Sequence, residues 1–340
     1  MLNPDAKLNP HLFDDDPAAL AQAPTRDGYG KGIVAAAEAN PNVVALCADL
    51  KESTRVEEFA AKFPSRYFEL GVAEQNMATM AAGLGVTGKI PFISSYATFS
   101  PGRNWEQIRT TIAYNDANVK VAGHHAGISV GPDGATHQAT EDIAIMRAMP
   151  RMKVFVPCDA IEARKATVAA AQVYGPVYLR FQREKTPVIT TEETPFVPGK
   201  AEAFWVPGKG GARAPKPDVL IVACGALVYQ ALLAARDLEE KDDIHSVVLN
   251  VHTVKPLDEK TLAEFAKKAG AVVTVEEHQI EGGLGGAVAE ALAKHMPSPI
   301  EFIGMRDTFG ESGAPDDLLK KYGMMPKDIV AAVKKAIRRK

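Results

Sequence analysis

The stretch NVKVAGHHAGISVGPDGATHQATEDIAIMRAM, residues 118–149, carries the pattern that decides the fold. It opens as a short apolar β-branched run, crosses a glycine-rich loop and leaves with helical periodicity, which is one strand–loop–helix unit of an α/β sheet. Loops at the carboxyl ends of strands are where open α/β sheets take their ligands. Three of the chain's eight histidines fall in this loop. Gly127, Gly131 and Gly134 would let the backbone approach a ligand, while His125, Asp133 and His137 offer donors and acceptors. A metal ion would want imidazoles at helical spacing or a compact cluster with a second acidic ligand, and the loop has neither. A polar loop whose histidines are simply satisfied stays open at this point.

The same rhythm extends in both directions. NVVALCA (42–48), IPFISSY (90–96), MKVFVPC (152–158) and PVYLRF (176–181) read as further strands, with GYGKGIVAAAEAN, EQNMATMAAGLGV, NWEQIRTTIAYN and AIEARKATVAAAQVYG as the helices between them. A proline- and glycine-rich stretch at 186–217 interrupts the pattern and reads as a linker. DVLIVACGAL, HSVVLNVHTVKPLD, AVVTVEEHQ and IEFIGMRDTFG, with the helical segments between them, then form a second and smaller doubly wound unit. Glu276, Glu277 and His278 read as following a strand of that unit. GYGKGI (28–33) and GGLGGAV (282–288) both miss the third glycine of a dinucleotide fingerprint, and no nucleoside-triphosphate loop occurs.

At 340 residues the chain exceeds one ordinary core, so two domains are expected. A formal net charge of −3 gives no electrostatic reason to expect nucleic acid or an anionic membrane as partner. Cys47, Cys158 and Cys224 are far apart in apolar runs and read as reduced core residues. The first residues lack the basic and apolar regions of a signal peptide, and no apolar run reaches membrane-spanning length, so a cytoplasmic location is expected.

A second unusual stretch is RYFELGVAEQNMATMAAGLG (66–85), where Glu74 opens a helix too apolar to be a solvent face. A carboxylate placed there calls for a raised pKa or a ligand nitrogen, although a helix N-terminal glutamate favoured by the macrodipole is the first reading when the motif stands alone. In order along the chain come FELGVAEQNMATMAAGLG, SSYATFSPGRNWEQIR, HHAGISVGPDGATHQATEDIAIMRAMP and RDTFGESGAPDDLLKKYGM. Together these resemble the C-terminal half of transketolase from Thr25 onward. The resemblance implies two doubly wound α/β domains. A pyrimidine-binding domain at 25–190 follows an N-terminal extension at 1–24, and a linker at 191–217 leads to the smaller transketolase C-terminal domain at 218–340.

Site roles follow from the same resemblance. Glu74 matches the glutamate that meets N1′ of the thiamine diphosphate aminopyrimidine. Phe99 and Trp105 match aromatics packed on that ring, with Gly102 where the family has a middle aromatic, and Asp49 matches an aspartate near the thiazolium. Arg26, Ser53, His125 and Arg183 match a sugar-phosphate cradle, Asp133 a contact to a donor hydroxyl, and His137 a contact near the reacting carbonyl. His124 matches no role and reads as a satisfied loop histidine. Glu276, Glu277 and His278 fall in a domain that serves scaffold and dimer roles.

The family holds the diphosphate and its Mg²⁺ (or Ca²⁺) with a GDG motif, and this sequence has none. The resemblance therefore implies the second subunit of a split transketolase that self-dimerises, as an α2β2 assembly with an N-terminal diphosphate-binding partner chain, and acts on sugar phosphates. No metal ligand is expected in this chain. Three rival families or roles fit the sequence less well. 1-Deoxyxylulose-5-phosphate synthase has arginine where His125 stands. The β subunit of a 2-oxoacid dehydrogenase has substrates without phosphate. A non-catalytic scaffold would have no need of Glu74, His125 and His137 together.

Overall fold

Short runs of β-branched and apolar residues, buried on both faces, become parallel strands, and the alanine-rich segments between them become the helices that cover the sheets. The computed structural model describes residues 1–14, 20–208 and 215–340. Its first half runs β1 (Gln22–Pro24), α1 (Thr25–Ala39), β2 (Val43–Cys47), α2 (Glu57–Lys62), β3 (Tyr67–Glu69), α3 (Glu74–Val86), β4 (Ile90–Tyr96), α4 (Trp105–Gln107), β5 (Lys120–His124), α5 (Asp142–Arg147), β6 (Lys153–Phe155), α6 (Ala160–Gln172), β7 (Val177–Arg180) and β8 (Lys185–Pro187). The second half runs β9 (Glu202–Trp205), β10 (Val219–Ala223), α7 (Leu227–Asp242), β11 (Ser246–Asn250), β12 (Thr253–Lys255), α8 (Glu259–Ala269), β13 (Val272–Gln279), α9 (Leu284–His295), β14 (Ile300–Met305), α10 (Pro315–Lys321) and α11 (Pro326–Ile337). The chain is thus α/β, with two sheets dominated by parallel pairing.

The larger sheet has the order β12-β6-β7-β5-β4-β2-β3 and the smaller one β14-β13-β10-β11-β9. The halves are stitched together. β12, from the second half, pairs antiparallel with β6 of the first. One apolar cluster runs from Met77 and Ile108 through Val154 to Leu262 and Leu292. Residues 202–205, inside the segment expected to be linker, form an edge strand antiparallel to β11. Phe204 and Trp205 are buried there, and burying two large rings outweighs the disordering effect of the flanking prolines. The rest of that expected linker includes residues 209–214, and the expected N-terminal extension includes residues 15–19, all of which lie outside the described residues.

The glycine clusters that miss a nucleotide fingerprint have packing roles. A Cβ on Gly28 would stand 2.0 Å from the carbonyl oxygen of Ala160, and one on Gly32 2.7 Å from Cβ of Thr167, so both glycines let α1 lie directly on α6. GGLGG opens α9 against an internal anion. Glu276 accepts from the backbone N–H of Leu284 at 2.6 Å and of Gly285 at 2.7 Å, where a Cβ on Gly283 would collide with it at 2.1 Å. The helix amides thus meet a buried side-chain carboxylate of the same chain. Burial pushes the Glu276 carboxyl up to about 7, with the two amides pulling against it.

Two local expectations need correction. NWEQIRTTIAYN is α-helical only at Trp105–Gln107 and continues as a π-helix at Ile108–Ala113, which single-sequence periodicity does not separate from an α-helix. Glu276, Glu277 and His278 lie within β13 and are buried. Glu277 and His278 accept across the seam between the two halves, from the Ser129 and Ala144 N–H groups, while Glu276 accepts from the start of α9. Among the described residues no helix is long and apolar enough to cross a membrane.

Candidate active site

Five neighbouring strands of the larger sheet, β7, β5, β4, β2 and β3, deliver their following residues to one edge. Arg183 follows β7, His125 to His137 follow β5, Tyr96 and Phe99 end β4, Asp49 and Ser53 follow β2, and Glu74 follows β3. A chain of contacts crosses this edge. Phe99 meets the His137 ring edge-on at 5.4 Å and stacks beside Tyr96 at 6.0 Å between centroids. Tyr96 stacks on His125 at 3.8 Å, and His125 Nε2 lies 3.3 Å from Nη1 of Arg26. Arg26 also donates to the carbonyl oxygen of Ser53 at 3.0 Å. Arg183 donates to the carbonyl oxygen of Val130 at 2.9 Å and lies 3.6 Å from Asp133.

At the acidic end, Glu74 is the first residue of α3 and only 1% exposed. Its carboxylate accepts from Ser95 Oγ at 3.3 Å and from Arg103 Nη1 at 2.7 Å. Where the sequence called for a ligand nitrogen, the carboxylate is paired with an arginine of the same chain. Asn104 donates to the Glu74 carbonyl at 3.1 Å and fixes the helix start. At Gly102 a Cβ would stand 1.9 Å from the carbonyl oxygen of Thr98, so the tight loop excludes an aromatic there for steric reasons.

At the basic end, a cavity of about 360 Å³ is lined by Arg26, Arg55, Arg183 and His125 together with Ser53, Tyr96 and the carboxylates of Glu52 and Asp133. Arg55 is paired with Asp27 at 2.7 Å. Arg26 pairs with no carboxylate among the described residues, and its Nε is buried without a partner. Burial and the neighbouring Arg55 guanidinium lower its pKa, with Asp27 pulling the other way. Burial first, and then Arg26, push the His125 ring down to about 3, so it is neutral. Since a guanidinium can only donate, His125 Nε2 accepts from Arg26 and the ring proton sits on Nδ1, which is buried and has no partner. The guanidinium groups of Arg26 and Arg183, both lining this cavity, suit an anionic oxygen cluster. Asp49 and His125 also hold left-handed backbone, φ 59° and 55°, a conformation that costs of order 1–3 kcal/mol and persists where surrounding structure enforces it.

Not every expected residue joins the cluster. Trp105 packs on the apolar core and donates to the carbonyl of Ile145 at 3.3 Å, and among the described residues no ring pair joins it to Phe99. Asp49 is exposed at the end of β2, giving its N–H to Glu69 at 2.8 Å. Ser53 holds Arg26 through its carbonyl oxygen. His124, expected as a satisfied loop residue, ends β5 between Tyr29 and Phe181, with both ring nitrogens buried and unpartnered. Burial holds its pKa well below the ordinary value, and it serves as a neutral aromatic filler.

Two residues escaped the sequence reading, and a third was given only a scaffold role. Tyr96 bridges Phe99 and His125, Arg103 holds Glu74, and Glu277 reaches across from β13 to the histidine loop. Glu277 accepts from the Ser129 N–H at 2.6 Å and also from Gln182 Nε2. Gly127 must be glycine beneath it, since its φ is 85° and a Cβ would stand 2.2 Å from Glu277 Oε1. A glutamate directly between two other titratable groups, Glu276 and His278, was a signal, but its target was 148 residues away.

Two family models match the chain. "Transketolase, pyrimidine binding domain" covers residues 21–188 and "Transketolase, C-terminal domain" covers 208–329. A transketolase C-terminal section from Methanocaldococcus jannaschii is 45% identical over 88% of this chain and 92% of its own length. A 6-deoxy-6-sulfo-D-fructose transketolase subunit from Clostridium sp. is 41% identical over 93% of this chain and 95% of its own. Among solved structures, a split-gene transketolase captured as an inactive β4 tetramer superposes with a TM-score of 0.84 at 45% identity, covering 93% of this chain and 98% of that one.

Proposed function

This chain belongs to the transketolase family, as a subunit with its pyrimidine-binding and C-terminal domains, and from that premise we propose that it supplies half of a thiamine diphosphate enzyme. The enzyme moves a two-carbon ketol unit from a ketose phosphate to an aldose phosphate. The observation that carries this reading is the single strand-end row in which a buried carboxylate and an aromatic face, bridged by Arg103, stand at one end and an arginine paired with no carboxylate among the described residues at the other.

Thiamine diphosphate, when bound, supplies the electron sink for breaking and making the carbon–carbon bond. Glu74 would hold the aminopyrimidine through its ring nitrogen, and Phe99 would support the ring face. His137 bonds Thr136 through Nδ1 at 2.9 Å, which leaves Nε2 to donate to an oxygen at the reacting carbonyl. Asp133 accepts from a donor hydroxyl. Arg26, His125 and Arg183 anchor the terminal anion and exclude bulk water from that end.

The diphosphate and its Mg²⁺ fall to a partner chain in this reading, because the sequence lacks a GDG motif. The outer face of α3, beside Glu74, supports such a partner: Gln75, Asn76, Thr79, Met80 and Val86 are exposed and carry no charge, and Val72 before them is 71% exposed. The inactive β4 assembly of the split-gene relative is consistent with a subunit that needs a second chain.

The Clostridium relative is named for a sulfonated ketose, and a guanidinium cradle accommodates either a phosphate or a sulfonate. The test is Arg183→Ala in the two-chain enzyme, assayed on a ketose phosphate, its 6-sulfo analogue and unphosphorylated hydroxypyruvate. Losing a charge-assisted bond of about 1.5–3 kcal/mol should cost the anionic donors one to two orders of magnitude in kcat/KM and leave hydroxypyruvate nearly unaffected. Equal losses on all three would make Arg183 a loop anchor only.

A further inference from the structure

Glu74 poses a physical problem for the chain before any cofactor arrives. A carboxylate that is 1% exposed needs a counterion, since stripping the partner from a buried charge is strongly destabilising. Arg103 meets that need from outside, reaching in from the loop after β4 with a side chain that is still 45% exposed. Its Nη1 donates to Glu74 Oε2 at 2.7 Å while its guanidinium carbon lies 4.6 Å from the centroid of the Phe99 ring. The group between the two is therefore flat, cationic, rich in N–H and stacked on an aromatic face. A protonated aminopyrimidine has the same character and would take the same two partners.

The loop is built to permit this. Gly102, where a Cβ would strike the Thr98 carbonyl, puts no side chain next to Arg103 on the approach to the ring. Asn104 is anchored independently, to the Glu74 carbonyl at 3.1 Å and to Ser100 Oγ at 3.1 Å, so the backbone at the base of Arg103 is fixed while its exposed tip is not.

We propose that Arg103 is an internal stand-in for the aminopyrimidine, occupying the Phe99 face and the Glu74 carboxylate in the cofactor-free chain and swinging out when the cofactor enters. The inference rests on the thiamine diphosphate reading of the site. Its consequence is a binding cost, since apparent affinity falls by the fraction of chains in which the pocket is open. The stand-in also keeps Glu74 paired in a subunit that has not yet met its partner.

The experiment is calorimetric titration of the assembled two-chain enzyme with thiamine diphosphate and Mg²⁺, using wild type, Arg103→Met, Glu74→Gln and the double variant. Arg103→Met should bind about tenfold more tightly than wild type, and the gain should vanish in the Glu74→Gln background, where the guanidinium has no carboxylate to hold. In the free subunit, Arg103→Met should lower the Tm at pH 7.5, and this loss too should disappear with Glu74→Gln. If Arg103→Met fails to fold, Arg103→Gln takes its place in both measurements. Weaker binding by the variant would make Arg103 a cofactor ligand, and unchanged binding would make it a bystander, either of which overturns the proposal. Failure of the wild-type enzyme to bind the cofactor at all would overturn the thiamine diphosphate reading itself, and the stand-in with it.

Discussion

His125 lies against Tyr96 with Arg26 at its Nε2, and burial together with that guanidinium drops its pKa from 6.5 to about 3. The unfolded chain takes up this proton near pH 6.5 and the folded chain only far lower. The stability contributed by the neutral ring is therefore complete above about pH 6.5 and is lost progressively as pH falls toward 3. Ring-proton NMR should find no titration of His125 between pH 5 and 8, and His125→Asn should make acid destabilisation between pH 6.5 and 4 shallower. A titration midpoint near 6.5 would contradict the assigned neutral donor. At this scale the sequence was informative where polar residues sit among glycines, which is how His125, Asp133 and His137 stood out. It was silent about Tyr96, because an aromatic at the end of an apolar strand reads as core, and about Arg103, because an isolated arginine reads as surface. His124 was misread because adjacent histidines look alike in sequence, while His124 is the last residue of β5, packed on Tyr29 and Phe181, and the left-handed turn at His125 carries the second ring to the site.

Elements impose constraints that no single residue reveals. The histidine loop is shaped by Glu277 of β13, which holds Ser129 and Gln182 above Gly127. A buried ion pair, Arg180 with Asp142 at 2.7 Å, ties β7 to α5, and Arg180 Nη2 also donates to the Glu277 carbonyl at 2.9 Å. Gly127→Ala should therefore both strain the backbone and displace Glu277, costing of order 1–3 kcal/mol in the urea midpoint. The same variant should speed amide exchange at Ser129 and raise the KM for the donor sugar. Unchanged stability and KM would show that the loop is not held from the second half. The alternation of strands and helices was legible because hydrophobic period depends on local spacing. The roles of GYGKG and GGLGG were not, since spacing cannot distinguish a glycine facing a phosphate from one facing a neighbouring helix or a buried glutamate. The edge strand at 202–205 was hidden for a related reason: its partner, β11, is more than 40 residues away and proline dominates its surroundings.

At the scale of the whole molecule, two sheets sharing one apolar cluster present a row of strand ends with a carboxylate end and an arginine end, beside a helix face without charge. That architecture was legible because four ordered motifs fix it together, whereas the proposed dependence on a second chain had only a missing motif to point to it. The central claim is that this subunit is half of a ketol-transferring enzyme. The most direct measurement is a coupled transketolase assay, with thiamine diphosphate and Mg²⁺ at saturation, of this chain alone, a GDG-bearing partner alone, and the two mixed. The account predicts ketol transfer between a ketose phosphate and an aldose phosphate only in the mixture, reduced by orders of magnitude when the mixture contains Glu74→Gln. Full activity from this chain alone, or unchanged turnover with Glu74→Gln, would contradict it.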